Sequence, residues 1–325
     1  MVHRIVAGGG GAFLHPTHGT SSKTDNILVN RVPFHLAAEF PSREISRKLA
    51  FRNLLFPYYN WRFASAEGVS HLLLWWFLQN TPSREAPSAS FAFGDGEGGF
   101  HSFALSLLQQ PWPLLLFVGL FAAFTAFADV HTPRFRAVVG LVHALAHVAA
   151  AVGTIAVTNA TTKYALQGAG GSGWGPSGTG NSNATSWLDR GDVAHYLLGF
   201  LTAFATGFFS GSLLMGTYLL IAINVFGAHV TESFSSFYCQ DYKNFLRLHI
   251  DDSGTLTIYP IGIAKVPRKW IDTASCRVQS GRVAPHAESA AQAKLPRLEP
   301  EGGWGQLNWQ LIEEPITLEG PGVQR

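Results

Sequence analysis

The chain has 325 residues, of which 14% are charged and 47% are hydrophobic, and its formal net charge is +2. Average soluble domains carry about 25% charged residues, so this composition favours a membrane protein. The balanced charge argues against a nucleic-acid binder, because binding a phosphate backbone needs an excess of basic residues. The two cysteines, Cys239 and Cys276, are too few for a disulfide framework or a four-cysteine zinc site.

The N-terminal segment combines a short apolar run with a glycine-rich loop. Val2 to Ala7 predicts a buried strand, and the sequence GGGGAFLHPTH follows it. Four consecutive glycines in an ordered chain indicate positive φ angles or the close approach of another group to the backbone. His15 and His18 either face a metal ion or a phosphate oxygen, or belong to a flexible solvated linker. The loop matches neither of the glycine motifs that bind nucleotides.

Residues 41–62 are predicted to form a basic amphipathic segment. Basic and apolar side chains alternate along it, which is typical of a segment lying on anionic lipid headgroups. The alternative is an ordinary basic helix exposed to solvent. The residues predicted to contact headgroups are Arg43, Arg47, Lys48 and Arg52.

Residues 63–230 are predicted to cross a membrane about four times. Three runs contain no charged residue and are long enough to span hydrocarbon: 105–128, 137–158 and 193–230. A further span, 63–80, includes Glu67 and His71 and ends near two tryptophans suited to the membrane interface. The run 193–230 would be about 57 Å long as one straight helix, so a break at Gly211 or Gly216 is an alternative. No charged or turn-forming loop separates its halves, which favours one crossing.

Loop charges predict the orientation of these spans. The basic segment before the first span and the pair Arg134 and Arg136 fall on one side, and residues 81–102 and 159–192 fall on the other. Positive loops face the cytoplasm, so both termini are expected there. The predicted fold class is mainly α, a polytopic helical membrane bundle with small β-containing soluble flanks.

The segment after the last span has the alternation of strands. Residues 231–278 predict a cytoplasmic β-hairpin region that turns at Asp251 to Gly254. Pro260 predicts an edge strand, since proline lacks a backbone N–H. Residues 279–325 are predicted to be a linker and a strand-like segment that returns to the hairpin from Trp309.

Three segments resemble one known family. They are HRIVAGGGGAFLHPTH, RKLAFRNLLFPYYNWRF and ESFSSFYCQDYKNFLRLHIDDSGTLTIYPIGIAKVPRKW. They resemble the C-terminal half of membrane-anchored calcineurin-like metallophosphoesterases, and the hairpin segment is the most specific part. The resemblance implies that residues 1–40 are the C-terminal edge of a phosphoesterase-like domain. It also implies hydrolysis of phosphate esters by a pair of divalent metal ions, manganese, iron, zinc or magnesium.

The motifs that supply the metal ligands in this family are missing here. The GNHD and GHxH motifs are absent. Asp129 and His131 form a DxH sequence, but it follows a predicted membrane span and not a core strand, so it is interpreted as accidental. The resemblance therefore implies that the metal-binding segments lie before Met1, on a missing phosphoesterase half that would be a partner. This chain is expected to be a fragment, metal-free and inactive alone, with its catalytic residues unassigned. The implied active-site neighbourhood consists of Gly8, Gly9, Gly10, Gly11, His15 and His18.

Histidines in the predicted spans suggest other functions. His143 and His147 are four residues apart on one helical face, and His195 opens the last span. They would hold a haem or a transition metal, or they would only form hydrogen bonds between helices. His195 lies at the end of its span and His147 near the middle of its own, which favours the structural role. The alternative functions are therefore a non-catalytic membrane scaffold and a haem- or metal-binding membrane protein.

Overall fold

The computed structural model describes residues 3–18, 26–29, 32–80, 111–129, 132–168, 190–272, 298–301, 303 and 307–319. The described part is mainly helical with small antiparallel sheets, which confirms the predicted fold class at this level. The chain divides into two compact units. One contains residues 1–49 and 238–325, and the other, here called the helical unit, contains residues 50–237.

Helices make up most of the described chain. Two of the long ones begin at a proline, which suits the first position of a helix because its missing N–H has no partner there. In chain order the elements are α1 (Arg43–Ala50), a 3₁₀ turn (Phe51–Leu55), α2 (Phe56–Tyr59), α3 (Trp61–Asn80), α4 (Pro111–Phe127), α5 (Pro133–Gly168), α6 (Arg190–Ile221), a π-helical turn (Ala222–Phe226) and α7 (Val230–Ser235).

Within the described residues of the helical unit, the four long helices alternate in direction. α3 and α5 run parallel, because Glu67 meets His147 and, further along both helices, His71 meets Thr154. The contacts of α6 with α3 and of α4 with α5 run in reverse order: Gly211 with Glu67, Gly207 with His71, Thr125 with Gly140, and Phe124 with His143. This arrangement is that of an up-and-down helix bundle.

Two of the described helices are long and apolar enough to cross a membrane, namely Pro133–Ala165 and Val193–Phe226. Leu115–Phe127 is a shorter apolar helix. By length and composition, therefore, two of the four predicted spans qualify. α6 runs unbroken through Gly211 and Gly216, so the last apolar run is one helix, as predicted. Its helical course ends at Phe226, because Gly227 adopts a left-handed conformation with φ 64°.

The other unit is built on the predicted hairpin, which the structure confirms. β3 (Lys243–Ile250) pairs antiparallel with β4 (Leu256–Ile263). In the turn, Asp251 Oδ1 accepts the backbone N–H groups of Ser253 and Thr255, both at 2.9 Å. The remaining strands are β1 (Asn26–Val29), β2 (Val32–His35), β5 (Trp270–Asp272), β6 (Leu298–Pro300), β7 (Trp309–Leu311) and β8 (Ile316–Leu318).

Two expectations about strands are wrong. Pro260 does not lie on an edge, because β3 pairs with one side of β4 while β7 and β8 pair with the other. The proline falls between the parts of β4 that β7 and β8 cover, and its carbonyl accepts the N–H of Ile312 at 2.9 Å. The predicted N-terminal strand is also not formed: residues 3–8 have no regular structure, and Val6 is 83% exposed. The prediction that the terminal segment returns to the hairpin is confirmed by β7 and β8.

Candidate functional site

A row of buried polar side chains runs along one face of α5. Successive members are four or seven residues apart, so they lie on the same side of the helix. Its ends are about 28 Å apart at ~1.5 Å per residue, close to the ~30 Å thickness of the hydrocarbon core of a bilayer. This polar stripe consists of His143, His147, Thr154, Thr158 and Thr162, none more than 6% exposed.

Helix α3 brings a carboxylate and a third imidazole to the stripe. Glu67 Oε2 lies 3.7 Å from His147 Nδ1 and 3.9 Å from His71 Nε2. His71 Nδ1 lies 2.9 Å from Thr154 Oγ1, within hydrogen-bonding distance. The side chain of Glu67 is only 19% exposed. Both separations between Glu67 and an imidazole are longer than a hydrogen bond, so each imidazole stabilises this carboxylate as an ion-pair partner when the imidazole is protonated.

Glycines of α6 allow this close approach. A Cβ atom at position 207 would lie 2.5 Å from His71 Cβ, and one at position 211 would lie 2.6 Å from Glu67 Oε2. Real Cβ atoms do not come so close to other heavy atoms. Gly207 and Gly211 therefore let α3 pack against α6, as small residues do between membrane helices.

Tyr218 of α6 lies beyond His143. The series of ionisable side chains that runs from Glu67 through His147 and His143 to Tyr218 and onward is called the polar row. The ring centroids of His143 and Tyr218 are 4.4 Å apart, and Tyr218 Oη lies 2.7 Å from His229 Nε2. Phe124 of α4 stacks on His143 and His147, with centroid distances of 3.9 and 4.8 Å. The aromatic stacking fixes the planes of both imidazoles.

Hydrogen bonds with the backbone define the proton position on His229. The N–H of Asp129 donates to His229 Nε2 at 3.2 Å, and the N–H of His229 donates to Asp129 Oδ2 at 3.1 Å. A backbone N–H only donates, so we assign the imidazole proton to Nδ1. That atom lies 3.7 Å from Glu232 Oε2, on a side chain that is 48% exposed. The polar row therefore ends at a carboxylate that reaches solvent.

The structure brings together two of the three histidines singled out in the sequence. His143 and His147 have ring centroids 5.1 Å apart. His195 lies beside Trp75, at 6.1 Å between centroids, and about 34 Å along α6 from Tyr218. Among the residues that the structure describes, no group of three or more His, Cys, Asp or Glu is placed to hold a metal ion.

The sequence analysis did not predict several residues of the site as functional. Glu67 and His71 were treated as polar exceptions in an apolar run, and no role was predicted for Tyr218 or His229. The available signal was two ionisable residues at helical spacing in one span and two histidines at helical spacing in another. Asp129 belongs to the site through His229 and not through the DxH sequence.

The glycine loop is ordered against the hairpin, as the expectation of close backbone approach required. The N–H of Gly9 donates to Asn244 Oδ1 at 3.2 Å, and a Cβ at position 9 would lie 2.3 Å from the Asn244 side chain. Lys243 Nζ donates to the carbonyl of Gly11. Gly8 and Gly10 have open space around them. The close approach thus applies at Gly9.

The two histidines of that loop have different surroundings. His15 is exposed beside Phe13, with centroids 5.2 Å apart, whereas His18 Nδ1 lies 2.7 Å from Ser46 Oγ. Burial and the Arg47 guanidinium lower the pKa of His18 from its ordinary 6.5 to about 4. His18 is therefore neutral at pH 7.

The basic segment before α3 uses part of its charge internally. Arg43 Nε lies 3.0 Å from Glu39, and Lys48 Nζ lies 2.6 Å from Glu44. Arg47 is exposed and Arg52 is partly exposed. The predicted contacts with lipid headgroups are therefore expected mainly from Arg47 and Arg52.

Comparisons with protein-family models, with curated proteins and with solved structures give no match. The resemblance to calcineurin-like metallophosphoesterases consequently stays a prediction from the sequence, as do the metal pair and the missing half that it implies.

Proposed function

We propose that α3 to α6 all cross the bilayer and that the helical unit transfers protons along the polar stripe. The observation that carries this proposal is the succession of neighbouring ionisable side chains from Glu232, through His229, Tyr218, His143 and His147, to Glu67. These side chains bind and release protons, and ionisable residues inside membranes commonly serve such relays. The threonines of α5 continue the row toward the other side.

The end of the row at His229 supports transfer in a definite sequence. His229 releases the proton on Nδ1 to the Glu232 carboxylate and accepts the Tyr218 hydroxyl proton at Nε2. His143, whose ring centroid lies 4.4 Å from that of Tyr218, would supply the replacement proton to Tyr218 from its protonated form through a bridging water molecule and become neutral. His229 and Tyr218 each lose one proton and gain one, whereas His143 loses a proton and Glu232 gains one, so no phenolate persists. The Asp129 N–H opposes the proton on Nε2 and favours return to the original tautomer.

The arrangement of the helices supports four crossings. Because α3 and α5 are parallel, their N-terminal basic residues Arg62, Arg134 and Arg136 fall at the same end of the bundle. The rule that positive loops face the cytoplasm assigns this end, with Glu232, to the cytoplasmic side. A cytoplasmic position of both chain termini remains part of this proposal.

The proposal is tested by proton flux into liposomes that contain the purified protein. A potassium gradient with valinomycin drives protons inward, and an entrapped pH-sensitive dye reports the flux. We expect the wild-type protein to exceed empty liposomes, and Glu67→Gln and His147→Asn to lower the flux at least about tenfold. His249→Asn, on exposed β3, is the control and should conduct like wild type. Flux equal to that of empty liposomes, or unchanged flux in both the Glu67→Gln and the His147→Asn variant, would refute the proposal.

The other functions predicted from the sequence have separate tests. Turnover of a phosphodiester with manganese would show a phosphoesterase activity of this chain, which is expected to be inactive alone. A Soret band in the purified protein would show a haem. A protein with neither activity nor flux would be left with the role of a membrane scaffold.

A further inference from the structure

An exposed apolar surface lies next to the basic side chains that precede α3. Its residues occupy the 3₁₀ turn, α2 and the first position of α3, and each is between 42% and 77% exposed. Arg52 is partly exposed within it, and Arg62 lies over the Trp61 ring at 5.6 Å from the ring centroid. This interfacial patch consists of Phe51, Leu54, Leu55, Tyr58, Trp61, Arg52 and Arg62.

The composition of the patch fits the headgroup region of a bilayer. Tyrosine and tryptophan concentrate at that depth because their rings are apolar and their ends are polar. The adjacent arginines attract anionic headgroups by their charge. The patch also leads directly into α3, which the proposed function places in the membrane.

Asn53 connects the interfacial patch to α7. Its side chain is fully buried, and its Nδ2 donates to the Ala50 carbonyl and to Ser233 Oγ, both at 2.9 Å. Ser236 Oγ donates to Asn53 Oδ1 at 2.9 Å. Asn60 Nδ2 donates to the carbonyl of Ser236 at 3.0 Å. Movement of the patch therefore displaces the donors and acceptors that hold α7.

α7 in turn carries the end of the polar row. His229 is its N-cap residue, in a left-handed conformation with φ 55°, and Glu232 lies in its first turn. A non-glycine residue keeps that conformation only when its surroundings enforce it. The position of α7 thus sets the distances from His229 to Tyr218 of α6 and to Asp129, which lie on other elements.

We propose that anionic phospholipid headgroups bind the interfacial patch and thereby hold α7 in the position that keeps His229 against Tyr218. Neutral lipids would leave this end of the row less restrained. The regulatory consequence rests on the proposed function, whereas the lipid contact and its transmission to α7 do not, and they are tested without measuring flux.

The test is amide hydrogen exchange of the full chain in nanodiscs of phosphatidylcholine, with and without phosphatidylglycerol. We expect phosphatidylglycerol to slow exchange at least about threefold in residues 51–61 and in residues 230–236. The double variant Arg52→Gln and Arg62→Gln should lose both effects. Arg247→Gln, on exposed β3, removes one charge elsewhere and should retain them.

The Ser233→Ala variant separates lipid binding from its transmission. It removes one hydrogen bond of Asn53, so phosphatidylglycerol should still slow exchange in 51–61 but act less on 230–236. Equal exchange of residues 51–61 in the two lipid compositions would overturn the proposal. Protection that depends on protein concentration and not on lipid charge would also overturn it, because a second copy of the chain would then cover the patch.

Discussion

In the proposed relay, the Tyr218 hydroxyl group passes the proton between His143 and His229. Tyr218→Phe keeps the ring that contacts His143 but removes the group 2.7 Å from His229 Nε2. We expect the proton flux to fall at least about tenfold while the helical content stays the same, measured in liposomes and by circular dichroism. The matched control is Tyr164→Phe, on α5 outside the stripe, where the ring is 68% exposed. Equal flux in both variants would exclude Tyr218 from the path.

His18 makes the stability of the protein depend on pH. Its pKa is about 4 in the folded chain and about 6.5 when unfolded, so the unfolded chain binds more protons between these values. Stability from this group is present above pH 6.5 and is lost as the pH falls toward 4. We expect the unfolding temperature in detergent to drop more between pH 7 and pH 5 for wild type than for His18→Gln. An identical drop would show that His18 does not contribute.

At the scale of elements, the α3–α6 contact depends on glycine. Gly207→Ala would place a Cβ 2.5 Å from His71 Cβ, so the helices must separate, at a cost of roughly 1–3 kcal/mol. Gly153→Ala on α5 is the matched control, because no atom lies within 4 Å of its added Cβ. Alanine favours a helix over glycine by about 1 kcal/mol, so this control should be neutral or stabilising. Thermal unfolding in detergent measures both; destabilisation by the control alone would contradict the packing described.

The elements that sequence reasoning predicted well are those with local signals. Hydropathy placed α4 to α6, and the turn from Asp251 to Gly254 with alternating flanks placed the hairpin. The edge-strand prediction from Pro260 was wrong because it assumes that the strands on both sides pair along the whole of a central strand. β7 and β8 leave a gap beside Pro260. α5 ends at Gly168, ten residues beyond the predicted span. Hydropathy could not predict this end, because the last residues of the helix are polar.

The candidate site was less predictable because it arises from contacts between distant segments. His143 and His147 were recognised from their spacing on one helix, which needs no tertiary information. The meeting of Glu67 with His147 depends on Gly211 and on the parallel course of α3 and α5, and neither is written in a local pattern. His229 lies at the end of an apolar run, and its contacts with Asp129 and Tyr218, which distinguish it, are visible only in the folded chain.

For the whole molecule, the direction of α5 decides whether the polar stripe crosses the bilayer. The helix has 36 residues, about 54 Å at ~1.5 Å per residue, so both ends should emerge from a hydrocarbon core of ~30 Å. Single cysteines at Arg134, Leu145 and Tyr164, with Cys239 and Cys276 replaced by alanine, test this with a membrane-impermeant maleimide. We expect Arg134→Cys and Tyr164→Cys to react from opposite sides of sealed vesicles. Leu145→Cys, 50% exposed in the middle of the stripe's helix, should react from neither side until detergent is added. Labelling of position 145 in intact vesicles would mean that the outer face of α5 meets water at mid-helix, which would contradict a transmembrane position of the polar stripe.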